Sequence, residues 1–180
     1  MALLRTAITV YVTFSMCANT IYGQASFEYQ LKAAFLFRFT EFVEWPAAAF
    51  STAQSPIRIC VLGSDPFRDA LDRTVEGQRV HGRNVVPVRM RRIDQVSGCN
   101  IVFISRSEAN RAADILMRLR GSPVLTVADM DNFLQLGGTI NFVTEGGRIR
   151  FDISMGSAQR GQLQLSSKLL RLARTVRRAG

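Results

Sequence analysis

The chain has 180 residues, of which 23 are Lys or Arg and 14 Asp or Glu, giving a net charge of +9, with 47% hydrophobic residues, three Cys and a single His. That length allows one domain with a real core and is too short for two once any leader is removed. One histidine with so few cysteines cannot build a usual zinc site, which excludes the commonest metal-dependent chemistries.

At the start, Arg5 precedes an apolar run from Ala7 to Phe14, and small or polar residues follow as far as Gly23-Gln24-Ala25. This is the layout of a secretory signal peptide. A single membrane anchor is the alternative reading, but the run falls short of the ~20 residues a span needs. Met16 before Cys17 lacks the small residue that a lipoprotein places there. The expectation is therefore a signal peptide over residues 1–25 and one domain over 26–180. Loss of Arg5 leaves 22 basic residues against 14 acidic ones. In an exported protein that excess argues against nucleic acid as a partner and favours an acidic protein face, an anionic lipid or a nucleotide. The basic residues form no single block, as on an ordinary solvated face.

Glu28 to Glu44 is predicted helical, with Leu31, Phe35, Phe39 and Phe42 on one face and Trp45-Pro46 as its end. Ile57 to Leu62 is a continuous apolar strand, followed by Asp65-Pro66 as the start of a helix. Val85 to Val88 and Ile101 to Ile104 are the next strands, with His81-Gly82 a turn before the first of them. Ser105 and Glu108 have the spacing of a capping box for a helix running to Leu119. Val124 to Val127 is a fourth strand, after which Asp129 caps a short helix holding Phe133 and Leu136. Ile140 and Phe142 lead into Gly146-Gly147, a hairpin turn, and Ile149, Phe151 and Ile153 alternate with polar residues as the returning strand. Leu165, Leu169, Leu172 and Val176 then recur at helical spacing, with Arg171, Arg174, Arg177 and Arg178 mainly on the other side. The predicted fold is α/β, a single domain with a mixed, mostly parallel sheet flanked by helices, ending in a β-hairpin and a covering helix. Cys60 and Cys99 remain after the leader, both in apolar strand-like surroundings. In an exported domain they indicate one disulfide between neighbouring strands; two buried free thiols are the alternative.

Chemistry-bearing patterns are few. No Gly-x-Ser-x-Gly elbow exists, and Asp129 and Asp131 are explained by capping and by solvent exposure, so no catalytic residue, metal or cofactor is expected. A ligand rim would form where loops after parallel strands gather, bringing together Ser64, Asp65, Ser105 and Arg106, although capping accounts for most of those polar groups. Phe37 and Trp45 belong to an aromatic group too large for one helix face, which either forms an exposed contact patch or packs on two sides. Arg171, Arg174 and Arg177 would give the last helix a basic face, for an acidic partner or for solvent.

The run from Gly137 to Ala173, together with Leu31-Lys32-Ala33-Ala34-Phe35-Leu36, Phe42, Trp45, Pro46, Val61-Leu62-Gly63 and the segment from Gly77 to Val85, resembles the YfiR family. One position departs: Ser154 stands where the family pattern carries an asparagine. The resemblance implies a non-enzymatic periplasmic protein that binds the sensory domain of an inner-membrane diguanylate cyclase and represses it, lowering cyclic di-GMP and biofilm formation. It also implies a possible outer-membrane lipoprotein partner and a homodimer. The other class left open is a periplasmic binding protein for a nucleotide or an amino acid, acting through the strand-end rim.

Overall fold

The computed structural model describes residues 27–178; the predicted signal peptide lies outside the described residues. Helix α1 spans 27–42. Strands follow at Val43–Glu44 (β1), Ile57–Leu62 (β2), Arg79–Val80 (β3), Arg83–Met90 (β4), Ile101–Ile104 (β5), Leu125–Ala128 (β6), Ile140–Glu145 (β7), Arg148–Ser154 (β8), Gln164–Leu165 (β9) and Thr175–Arg177 (β10). The remaining helices are α2 (Ala70–Val75), α3 (Ala112–Leu119), α4 (Met155–Arg160) and α5 (Ser167–Leu172).

The main sheet has eight strands in the order β10-β8-β7-β6-β5-β2-β4-β3. Its centre is parallel, from β4 through β2, β5 and β6 to β7. Only the β7–β8 and β3–β4 hairpins are antiparallel within it. This is the single α/β domain with a mostly parallel sheet that the sequence predicts. The central strands are apolar throughout because both faces are covered. From β2, Ile59 and Val61 join a core with α1, α2 and α5, while Cys60 and Leu62 join a second core with α3. In the β7–β8 turn Gly146 and Gly147 have φ of 55° and 72°, a conformation open to glycine at little cost.

Several local expectations are corrected. Helix α1 stops at residue 42, and Val43–Glu44 instead pairs antiparallel with Gln164–Leu165, clasping the two ends of the domain. Its buried face is turned from the expected stripe: Lys32, Ala33, Leu36 and Phe39 face inward, and Leu31 is exposed. Asp65 caps no helix. Its Oδ1 accepts from Phe67 N in a local turn, and α2 begins five residues later. The Ser105–Glu108 capping box does not form, because Glu108 pairs with Arg111 in a 3-10 turn that precedes α3. No helix follows Asp129, whose carboxylate is drawn into the core by Lys32. The final helix is only Ser167–Leu172, with Leu169 buried. Thr175–Arg177 leaves helical geometry to pair parallel with the outer side of β8, so β10 and not the hairpin forms that edge. Ser154 explains its own departure from the family pattern: its hydroxyl accepts from Ser157 N at the start of α4, and Ser and Asn serve equally as N-caps.

Candidate functional site

The chain leaves β2 through α2 for β4 on one side and crosses back to β5 on the other, and α3, which follows β5, covers the opposite face of the sheet from α2. The strand ends on either side of that reversal are where open α/β sheets usually hold ligands. The rim residues do gather there, but each engages another part of the protein. Ser64 N donates to Ser107 Oγ at 2.9 Å, and Ser105 N donates to Leu62 O at 3.0 Å. Asp65 Oδ2 accepts from Arg89 Nε, and Arg89 also grips Asp72. The Arg89 hydrogen bond holds the Asp72 carboxyl below its ordinary range. Gly63 sits so close to the neighbouring turn that a Cβ there would lie 2.5 Å from Ser107 Oγ. The backbone N–H groups of Ser64 and Ser105 and the Asp65 carboxylate are thus engaged within the protein.

Below the rim lies a cluster that the sequence reading did not identify. Lys32, 1% exposed, donates to Asp129 Oδ2 at 2.5 Å and to Glu28, and Tyr29 Oη donates to the same Oδ2 at 2.8 Å. Asp129 Oδ1 accepts no hydrogen bond of good geometry, Arg106 Nε standing 3.3 Å away while donating to the Asp129 carbonyl. A signal was available. Lys32 lies on the same helical face as Leu36 and Phe39, and a lysine on a buried stripe requires an anion. The cluster locks α1 to the sheet end, with Lys32 and Asp129 buried.

Burial, and after it the Asp129 charge, push the Tyr29 hydroxyl well above its ordinary pKa. Raised in the folded state, this group contributes stability that is fully present below the unfolded value near 10 and is lost as pH rises through the folded one. Tyr29 is the only tyrosine after residue 25, so phenolate absorbance reports it alone in a protein starting at Ser26. At about pH 11 the native protein is expected to show almost no phenolate and the urea-unfolded protein mostly phenolate. Equal ionisation in the two states would contradict the buried hydrogen bond.

The predicted partner-binding residues fall in two places. Phe37 is half-buried against the core, and Trp45 Nε1 donates to Asn100 O at 3.1 Å, so neither forms an exposed aromatic patch. Phe27, 60% exposed, and Leu31 are the open apolar residues of α1. At the other end of the chain, Arg171 is exposed and lines a hollow of about 650 Å³ with Met155, Gln159, Ser167, Leu170, Val176 and Arg178. Arg177 is exposed on β10. Arg174 is structural: Nε and Nη2 hold both Asp152 oxygens at 2.9 and 2.6 Å, and its N–H donates to Phe151 O. The Asp152 hydrogen bonds raise the Arg174 pKa further. Cys60 and Cys99 are joined in a disulfide across β2 and the start of β5, with Cα atoms 6.0 Å apart.

These features define a small α/β domain, layered helix–sheet–helix and braced by one disulfide, in which the polar groups at the strand ends bind one another. The family model described as YfiR/HmsC-like matches residues 29–174, and the chain belongs to that family. The family is one of periplasmic, non-catalytic regulators of cyclic di-GMP signalling. Among the described residues no helix is long and apolar enough to cross a membrane.

Solved structures share the fold at low identity. One, the ABC domain in complex with L-Trp from Streptococcus pneumoniae, aligns with a TM-score of 0.50 and 11% identity over 67% of this chain and 55% of that one. Another, a conserved domain protein from Vibrio cholerae O1 biovar eltor, gives 0.50 and 9% over 67% and 54%. This chain spans about half the length of each.

Proposed function

We propose that the domain formed by residues 26–180 is exported after removal of its leader and represses an inner-membrane diguanylate cyclase by binding the cyclase's periplasmic sensory part. The observation that carries this reading is the family match over residues 29–174. The engagement of Asp65 and Arg106 with other parts of the protein is consistent with it. Repression is a population shift: a binder that prefers the inactive arrangement of the sensory part lowers output without touching the active site across the membrane. Arg171 and Arg177 are the exposed residues of the proposed contact region, whereas Phe37 and Trp45 are partly buried and pack against the core. A competing outer-membrane lipoprotein and a homodimer belong to the same proposal, carried by the family resemblance alone.

Deleting the gene is expected to raise cellular cyclic di-GMP and promote biofilm, and the full chain, but not residues 26–180 without a leader, should restore both. Removing the responsible cyclase gene as well should abolish the rise, which identifies the partner. Unchanged cyclic di-GMP in the deletion strain, with its cyclases expressed, sinks the regulator reading.

A second reading, a periplasmic binding protein for a nucleotide or amino acid, is favoured by a hollow of about 360 Å³ between α3 and α4. Arg120, Arg160, Ser122 and Ser157 line it beside Leu116 and Leu136. Its size falls at the lower end of small-molecule sites, and the structurally similar domain from Streptococcus pneumoniae was solved with L-Trp.

A further inference from the structure

We infer that β10 is a docking edge for an acidic, extended segment of the partner protein, which adds a strand to the sheet and places an apolar side chain in the hollow beside it. This deepens the proposed regulation and rests on it. β10 ends the eight-stranded sheet, and among the described residues no strand pairs with its outer side. Its outward groups follow from the ladder. Ser154 N–H donates to Thr139 O on the β7 side, so the backbone of neighbouring Ile153 turns toward β10. Val176 is the register partner of Ile153, and in a parallel pair the residue opposite a bonded one faces away. The N–H and C=O of Val176 therefore point outward, the groups that an added strand would engage.

A second observation says what kind of strand. The hollow of about 650 Å³ against β10 has Met155, Leu170 and Val176 as apolar lining, two arginines, Arg171 and Arg178, and no acidic side chain. Arg177 adds a further exposed charge on the strand itself. Two carboxylates of the adjoining hairpin, Glu145 on β7 and Asp152 on β8, both pair with Arg174. An incoming strand with Asp or Glu flanking one apolar residue would satisfy the edge, the arginines and the hollow together. A second copy of this chain fits poorly, because antiparallel pairing of two β10 edges would set arginines against arginines.

The test is amide hydrogen exchange of the protein with and without the purified periplasmic domain of the cyclase identified genetically, alongside affinity measurements. Binding should slow exchange at residues 174–178, and Val176→Pro, which removes the outward donor and leaves the residues bonded to β8 in place, should weaken binding by roughly tenfold or more. The double variant Arg171→Glu, Arg178→Glu should do the same and reduce the salt dependence. Tight binding by wild type and Val176→Pro alike, without protection at 174–178, overturns this inference and leaves the regulator reading standing. No binding by the wild-type protein removes that reading itself. Protection of 174–178 in the protein alone as its concentration rises would assign the edge to a second copy and also overturn the inference.

Discussion

Opening the Cys60–Cys99 bridge is expected to lower stability by about 4 kcal/mol, the chain-entropy value for a loop of the 39-residue separation it closes. For a domain of this size that corresponds to a fall in melting temperature of roughly 10 °C. Two features make the bridge effective. It joins the centre of the sheet to the residue leading into the adjacent strand, so it shortens the route by which β2 and β5 must find one another. Both cysteines are also buried, Cys60 completely, in the core that packs under α3. The measurement compares melting of the oxidised protein with that of the Cys60→Ala, Cys99→Ala double variant, and thiol titration of the denatured, unreduced protein. Zero titratable thiols and the stated loss are expected; two free thiols, or a double variant as stable as wild type, would refute the bridge. The same chemistry bears on export, because a chain retained in a reducing compartment would lack this contribution.

Replacing Lys32 with methionine is expected to cost roughly 3 kcal/mol, the lower end of the range for removing one partner of a buried ion pair. The methionine fills similar volume, so little of the loss comes from packing. It comes from Asp129, left 2% exposed with Tyr29 as hydrogen-bond donor and Arg106 as a cation beyond good hydrogen-bond geometry. Asp129→Leu alone should cost a comparable amount by stranding the lysine. The double variant Lys32→Met, Asp129→Leu should recover a large part of either loss, because replacing both charges with apolar groups removes the desolvation penalty together with the attraction. Urea unfolding of the four proteins gives the coupling. A cost below about 1 kcal/mol for Lys32→Met would place the pair with ordinary solvated ones.

What could be read from the residues alone follows from which interactions are local. Ile101 to Ile104 is apolar at every position, as a strand covered on both faces must be, and the alternation of such runs with helical patterns indicates a mostly parallel, sandwiched sheet. Gly146-Gly147 between two alternating runs identifies the β7–β8 hairpin for a reason contained in two residues, their freedom at positive φ. Cys60 and Cys99 could be offered as a pair because they are the two cysteines after residue 25, both in apolar surroundings; that β2 and β5 are neighbours came from the structure. For the site, the rim was legible in position: Ser64, Asp65, Ser105 and Arg106 do meet at the strand ends.

Only the tertiary structure decided the rest, wherever two equally good local solutions existed and distant groups chose between them. Leu165, Leu169, Leu172 and Val176 satisfy helical spacing, yet residues after Leu172 are drawn into a strand by the unpaired outer side of β8 and by Asp152, 22 residues away in sequence, holding the Arg174 guanidinium. Asp129 satisfies the statistics of a helix cap, yet Lys32, 97 residues earlier, captures its carboxylate because a buried ammonium has no other anion as close except Glu28. Ser105 and Glu108 have capping spacing, yet Arg111 takes the carboxylate. For Glu108 the competing cation is only three residues on, within the same turn, but for Asp129 and Arg174 an opposite charge across the fold outweighs local preference, and sequence spacing carries no information about which opposite charge that is.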